Sequence, residues 1–266
     1  MLSCKANKKL VQQRMQETNS KPVVLKDLAN IVVHMKSSTR PNNISDLVRE
    51  LSADGASSVS VMSNEENEFR GVTYQDAYMR QVFETYPEIV LMDATYKLVD
   101  LRLPAYILCA IDGNGMTEVV FVFLVVDETK DTNTKSLQIF KDTNPAWSKT
   151  LSFMTDKDFV ERDVIQTLFP SVSVLTCRYH TLRTFRRELT TEKTSISAAQ
   201  RDICLSIVSD MVYATNEVSY EQQHQRLLNL NLAKVTEYFS TWHDIRHEWV
   251  EGLSRLHMTL GETTNN

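Results

Sequence analysis

The chain has 266 residues, room for one large domain or one domain with a small appendage, and its 42% hydrophobic and 24% charged content is that of an ordinary globular protein. Its longest apolar run, Val119–Val126, is eight residues, far short of a membrane span, and the N-terminal MLSCKANKKL lacks the apolar core of a signal peptide. The net charge of −5 divides unevenly: residues 1–40 carry eight Lys/Arg and two Asp/Glu, a balance of +6, so residues 41–266 sum to −11. A basic arm on an acidic body suits contact with nucleic acid through the arm, or else a solvated tail. An acidic body also suits carboxylates gathered to hold a divalent metal. Cys4, Cys109, Cys177 and Cys204 are widely spaced and form no CxxC pair. That argues against a disulfide framework or a zinc ribbon, and an intracellular protein is the simplest reading.

In chain order, residues 1–20 are polar, Val23–Met35 mixes helical spacing with β-branched residues, and Ile44–Leu51 reads as a short helix. Ser57–Ser63 alternates as a strand, and Phe69–Thr73 could pair with it across the acidic turn Asn64–Glu68. Gln75–Tyr86 reads as an amphipathic helix with Ala77, Tyr78, Val82 and Phe83 near one face, ended by Pro87. Glu88–Thr95 and Leu103–Ile111 are largely apolar strand runs; Asp112-Gly113-Asn114-Gly115 is a hairpin turn, and Glu118–Val126 returns as a third strand. Helix Asn133–Asp142, strand Leu151–Thr155, helix Phe159–Phe169, strand Ser173–Cys177 and basic helix His180–Leu189 follow, and the remainder reads as helical.

Three strands followed by helix–strand–helix–strand–helix is the element order of an α/β, RNase H-like fold. Its five-stranded sheet is mixed, an antiparallel meander continued by parallel crossovers, with helices on its faces and a helical insertion and C-terminal part. Ligands of such sheets sit at strand ends. Asp93 closes the first strand after four apolar residues, and Asp156 directly follows the fourth. If those strands are neighbours, the two carboxylates face each other and repel unless they share a proton or a cation; oxygen ligands select Mg²⁺ or Mn²⁺. Asp156 could instead cap the next helix, a task Asp158 could also perform, and Asp93 could be held by backbone N–H groups.

Beyond this element order, YPEIVLMDATYK (Tyr86–Lys97) resembles the first-strand signature of the Mutator-like (MULE) transposase superfamily, closer still to the RNase H-like domain of zinc finger SWIM domain-containing proteins. LPAYILCAIDGNG (Leu103–Gly115), VVDET (Val125–Thr129), MTDKDFVERDVIQTLFP (Met154–Pro170) and the Cys-x-x-His of LTCRYH (Leu175–His180) follow in the family order. GETTNN (Gly261–Asn266) is similar to the segment that precedes the downstream part of these proteins, so a longer protein continuing toward a zinc finger is expected.

The resemblance implies a DDE-type catalytic and metal-binding triad: Asp93, Asp156 and a third acid on a helix beyond the insertion, where Glu221, in the Tyr220-Glu221 pair, matches best and Glu217 is the alternative. It implies two-metal phosphoryl transfer on DNA with Mg²⁺ or Mn²⁺, giving strand cleavage and strand transfer if active, in the nucleus. The alternative is a domesticated, non-catalytic DNA- or protein-binding module of a SWIM zinc-finger protein. DNA is the expected partner; protein partners and a homodimer are compatible, and no membrane is involved. Cys177 and His180 are too few for a structural zinc site and read by themselves as a buried thiol packed beside an oriented imidazole, while the resemblance implies a part for His180 near the metals, as a phosphate or carboxylate contact. Arg178, Arg183, Arg186 and Arg187 form a basic helix face, suited to DNA phosphate or simply to water. Trp242 and Trp249 sit at core spacing, and His243 and His247 lack the HExxH of a zincin. The expected layout is a basic arm and short helical region over 1–55, an RNase H-like core over 56–192, and a helical part over 193–266.

Overall fold

The computed structural model describes residues 48–49, 51–53, 55–95, 103–156 and 159–254. The basic arm, the 23–35 segment, most of the helix expected at 44–51, Asp158 and GETTNN lie outside them. Strands β1 (Ser58–Ser63) and β2 (Phe69–Gln75) lead into α1 (Ala77–Thr85); β3 (Ile89–Thr95), β4 (Ala105–Ile111) and β5 (Thr117–Val125) lead into α2 (Lys130–Thr143). A 3₁₀ turn (Pro145–Lys149), β6 (Ser152–Thr155), α3 (Phe159–Leu168), β7 (Ser173–Thr176) and α4 (Arg178–Glu188) complete the α/β part. The rest is helical: α5 (Thr191–Thr194), α6 (Ala198–Val212), α7 (Glu217–Leu228), α8 (Ala233–Asp244), α9 (Arg246–Trp249) and α10 (Glu251–Ser254).

The strands form one mixed sheet in the order β1-β2-β5-β4-β3-β6-β7. Pairing is antiparallel from β1 to β3 and parallel from β3 through β6 to β7. The expected class holds. The sheet has seven strands rather than five because the β1–β2 hairpin joins it, β2 pairing with β5 from Gly71↔Val125 to Tyr74↔Val122. The β4–β5 turn forms where DGNG requires it. Asp112 Oδ1 accepts the amides of Asn114 and Met116, both at 2.8 Å, and Gly115 takes φ +73°, a left-handed angle that glycine adopts without strain.

Helix α1 is capped by Asp76, whose carboxylate accepts the Met79 amide at 2.7 Å. Its buried face is Met79, Val82 and Phe83, while Ala77 and Tyr78 are exposed. The cap sets the first helical residue at Ala77, and the i, i+3, i+4 rule then brings Met79 rather than Tyr78 onto the face of Val82 and Phe83.

Side chains alternate across β3, and the two sheet faces pack different cores. Val90 and Met92 enter the main core with Phe121, Phe140, Phe153 and Phe169 under α2 and α3. Ile89 and Leu91 face the other way, into a smaller cluster with Met154, Leu175 and Cys177. The C-terminal helices enclose a separate core around Phe185, Tyr220, Phe239, Trp242 and Trp249, with both tryptophans fully buried.

Candidate metal centre

The sheet register brings the first two acids together. β3 pairs with β6 at Val90↔Phe153 and Leu91↔Met154; two residues further along each strand stand Asp93 and Asp156. The β6–β7 register, Thr155↔Thr176, likewise sets Asp156 beside Cys177. Asp93 shares the sheet face of Leu91, so both acids rise from the small apolar floor that Leu91, Met154, Leu175 and Cys177 make. His180 comes from the first turn of α4, which begins immediately after β7. Its Nδ1 is in ionic contact with Asp156 Oδ1, and neither atom has another hydrogen-bonding partner. One ligand atom from each of Asp93, Asp156 and His180 lies within 4.8 Å of the others.

The electrostatics follow from this placement. Burial over the apolar floor, then the Asp156 charge, pushes Asp93 up to about 6; His180, the Ala94 amide and Arg183 pull in the opposite direction. Burial alone would discharge His180, but its hydrogen bonds and charge interactions with Asp156 and Cys177 outweigh that and raise it to about 10. Asp93 and Asp156 therefore share one cationic imidazole. Cys109, across from Leu91 on β4, is pushed up to about 12 by burial and by Asp93 and Glu118, and stays a thiol.

The basic face of α4 divides by role. Arg178 turns inward to pair with Glu251 at 2.9 Å, both side chains largely buried. Arg183 is exposed yet close enough to act on Asp93, while Arg186 and Arg187 are exposed, the latter bonded to Glu188. Of these arginines, Arg183 is the one whose charge acts on Asp93.

Glu221 is placed elsewhere. It lies in α7, grouped with His224 of the same helix and His243 of α8. Glu217, one turn earlier, pairs with Arg246 at 3.0 Å. Among the described residues, the third member of the Asp93–Asp156 group is an imidazole rather than a third carboxylate. Two further acids, Glu248 and Glu251, stand on α9 and α10, with α9 against β7, and are paired with Arg162 and Arg178. Nothing in the spacing from Asp156 singles them out, because the intervening helices carry the chain away from the sheet and back.

A mixed sheet with an antiparallel meander, parallel crossovers and strand-end carboxylates on β3 and β6 defines an RNase H-like domain. Residues 49–175 match the family described as zinc finger SWIM domain-containing protein 1/3, RNaseH-like domain, and are similar to it. The match runs from before β1 into β7 and stops short of α4, so His180 and the C-terminal helices fall outside it.

Proposed function

We propose that Asp93 and Asp156 hold a divalent cation, Mg²⁺ or Mn²⁺, and that the domain is a transposase-derived nuclease performing DDE-type phosphoryl transfer on DNA. The observation that carries this reading is the in-register pair of carboxylates over an apolar floor, with buried Asp156 and His180 atoms that lack further hydrogen-bonding partners. Two carboxylate oxygens suit either ion. A cation bound there would act as a Lewis acid, activating a water or 3′-hydroxyl and stabilising the leaving oxygen. The protein's own share is positional. Asp93 and Asp156 fix the attack site at the strand ends, His180 holds Asp156 in orientation, and exposed Arg183 meets the phosphate. A DNA substrate implies nuclear residence, with the basic stretch of residues 1–40 as a further backbone contact.

A second reading is a domesticated module that binds DNA or protein without cutting. It is favoured by the ion pair through which His180 already neutralises Asp156, and by the placement of Glu221 in a different group. The full chain, given Mn²⁺ and labelled duplex DNA, decides between them. The nuclease reading expects nicking that Asp93→Asn and Asp156→Asn each reduce by about 100-fold or more, the scale of losing a group that acts in the transition state. A folded wild-type protein that binds the duplex and leaves it intact establishes the second reading.

A further inference from the structure

The group formed by Glu221, His224 and His243 belongs to the second core, and the reading of the sheet site makes no use of it. Glu221 and His224 stand at i, i+3 on α7, hence on one face, and His243 enters from the last turn of α8 after a four-residue link (229–232). Glu-x-x-His on one helix, completed by a residue from a facing helix, is an arrangement in which helical proteins chelate metals.

One of the distances is already that of a chelate. One ligand atom from each residue lies within 4.8 Å of the others, and His224 Nδ1 stands 3.4 Å from Glu221 Oε1. Two ligands of a tetrahedral ion with bonds near 2.1 Å are about 3.4 Å apart. The His224 and His243 rings stack at 4.1 Å between centroids, tilted by 23°, so inward rotation of the ring edges by about an ångström would complete the set. His224 Nδ1 is buried and has no hydrogen-bonding partner. A solvated i, i+3 pair would leave that nitrogen open to water.

Tyr220 supplies the supporting contact. Its buried hydroxyl lies 2.9 Å from His243 Nδ1. When Nδ1–H donates to the phenol oxygen, the Nε2 lone pair of His243 is left for a ligand, the orientation that metal-bound histidines adopt through an oxygen partner. Glu221 is exposed, so a fourth position faces solvent.

We propose that Glu221, His224 and His243 form a second cation site, separate from Asp93 and Asp156, that takes Zn²⁺ or a chemically similar transition ion and ties α7 to α8. Two imidazoles and one carboxylate are a zinc donor set with an open position, and poorly suited to Mg²⁺. Tyr220 is a positioning residue.

The test uses the full chain carrying Asp93→Asn and Asp156→Asn, so that the sheet site cannot report. Titrated with Zn²⁺ in a calorimeter, this protein should bind one ion, and Co²⁺ should give the visible absorption of a tetrahedral site. Glu221→Gln, which changes an exposed side chain and spares the core, should abolish both signals, as should His243→Gln. Tyr220→Phe should weaken Zn²⁺ by about 10-fold to 100-fold while keeping the Co²⁺ spectrum tetrahedral. Zn²⁺ binding that is absent in the starting protein, or unchanged in Glu221→Gln, overturns the proposal. So does loss of Mn²⁺ binding at an intact Asp93–Asp156 pair on Glu221→Gln, which would assign Glu221 to the sheet site instead. Failure of DNA cleavage bears on the sheet site alone.

Discussion

In the absence of a cation, the carboxyl of Asp93 opposes folding, and the sign of its pH dependence follows. An unfolded aspartate titrates at about 3.9, and in the folded protein burial and Asp156 raise Asp93 to about 6. Between those values the folded state binds more protons than the unfolded one, so stability falls as pH rises through that window. Thermal unfolding in EDTA should show the midpoint dropping from pH 4 to pH 6 in the wild type. Asp93→Asn should flatten that slope and raise the midpoint at pH 7; an unchanged slope would move the cost to another group. Asp93 and Asp156 were legible as strand-end carboxylates, because a charge at the end of a buried strand marks itself. Glu221 was not. An aromatic–glutamate pair in a helix looks the same whether the helix packs beside the sheet or, as here, on the second core. The Glu-x-x-His spacing is visible in the sequence, but such spacing is common in helices, and His243 gives it meaning only once α8 has folded back.

At the level of elements, the strand pattern came through because alternation and turn chemistry are local. The DGNG turn and the apolar runs of β3, β4 and β5 each specify themselves. Membership of the hairpin in the sheet was hidden, since nothing within β1 or β2 names β5 as a partner. The polar side chains that secure that joint read like loop residues. Gln75, fully buried at the end of β2, donates to Val120 O of β5 at 2.9 Å and to Asn144 Oδ1 at 2.8 Å. Asn144 in turn donates to Phe140 O at 2.8 Å, closing the end of α2. Asn144→Ala strands the Gln75 amide in the interior, so it should cost about 1–3 kcal/mol in urea unfolding. A loss under a few tenths would mean that water reaches Gln75.

For the whole molecule, the sheet and the C-terminal helices are joined by buried ion pairs spanning long chain separations. Arg162 of α3 makes a bidentate pair with Glu248 of α9, 86 residues away, Nη2 standing 2.6 Å from Oε1. Arg178–Glu251 is a second tie, and at Gly252, whose amide donates to Ala214 O at 2.7 Å, an added Cβ would strike the Thr215 backbone. No sequence window contains both halves of such a tie, which is why these joints could not be expected from the sequence. Glu248→Ala leaves Arg162 buried without its carboxylate and should cost about 3–5 kcal/mol, much of it recovered in Arg162→Met/Glu248→Leu. Equal losses in the single and double variants, read from urea midpoints, would show the pair to be incidental. The parallel pairing of β3 with β6 also sets an order of events. β4 and β5 close across a short turn, whereas Ile89 meets Ser152 only after two strands and a helix have been laid down between them. Distant pairings of this kind form late, after local ones have shortened the search. The carboxylate pair therefore comes into being with the finished sheet, and an ion seated there would act as a clasp, retarding the opening of a structure already built and offering the nascent chain no guidance.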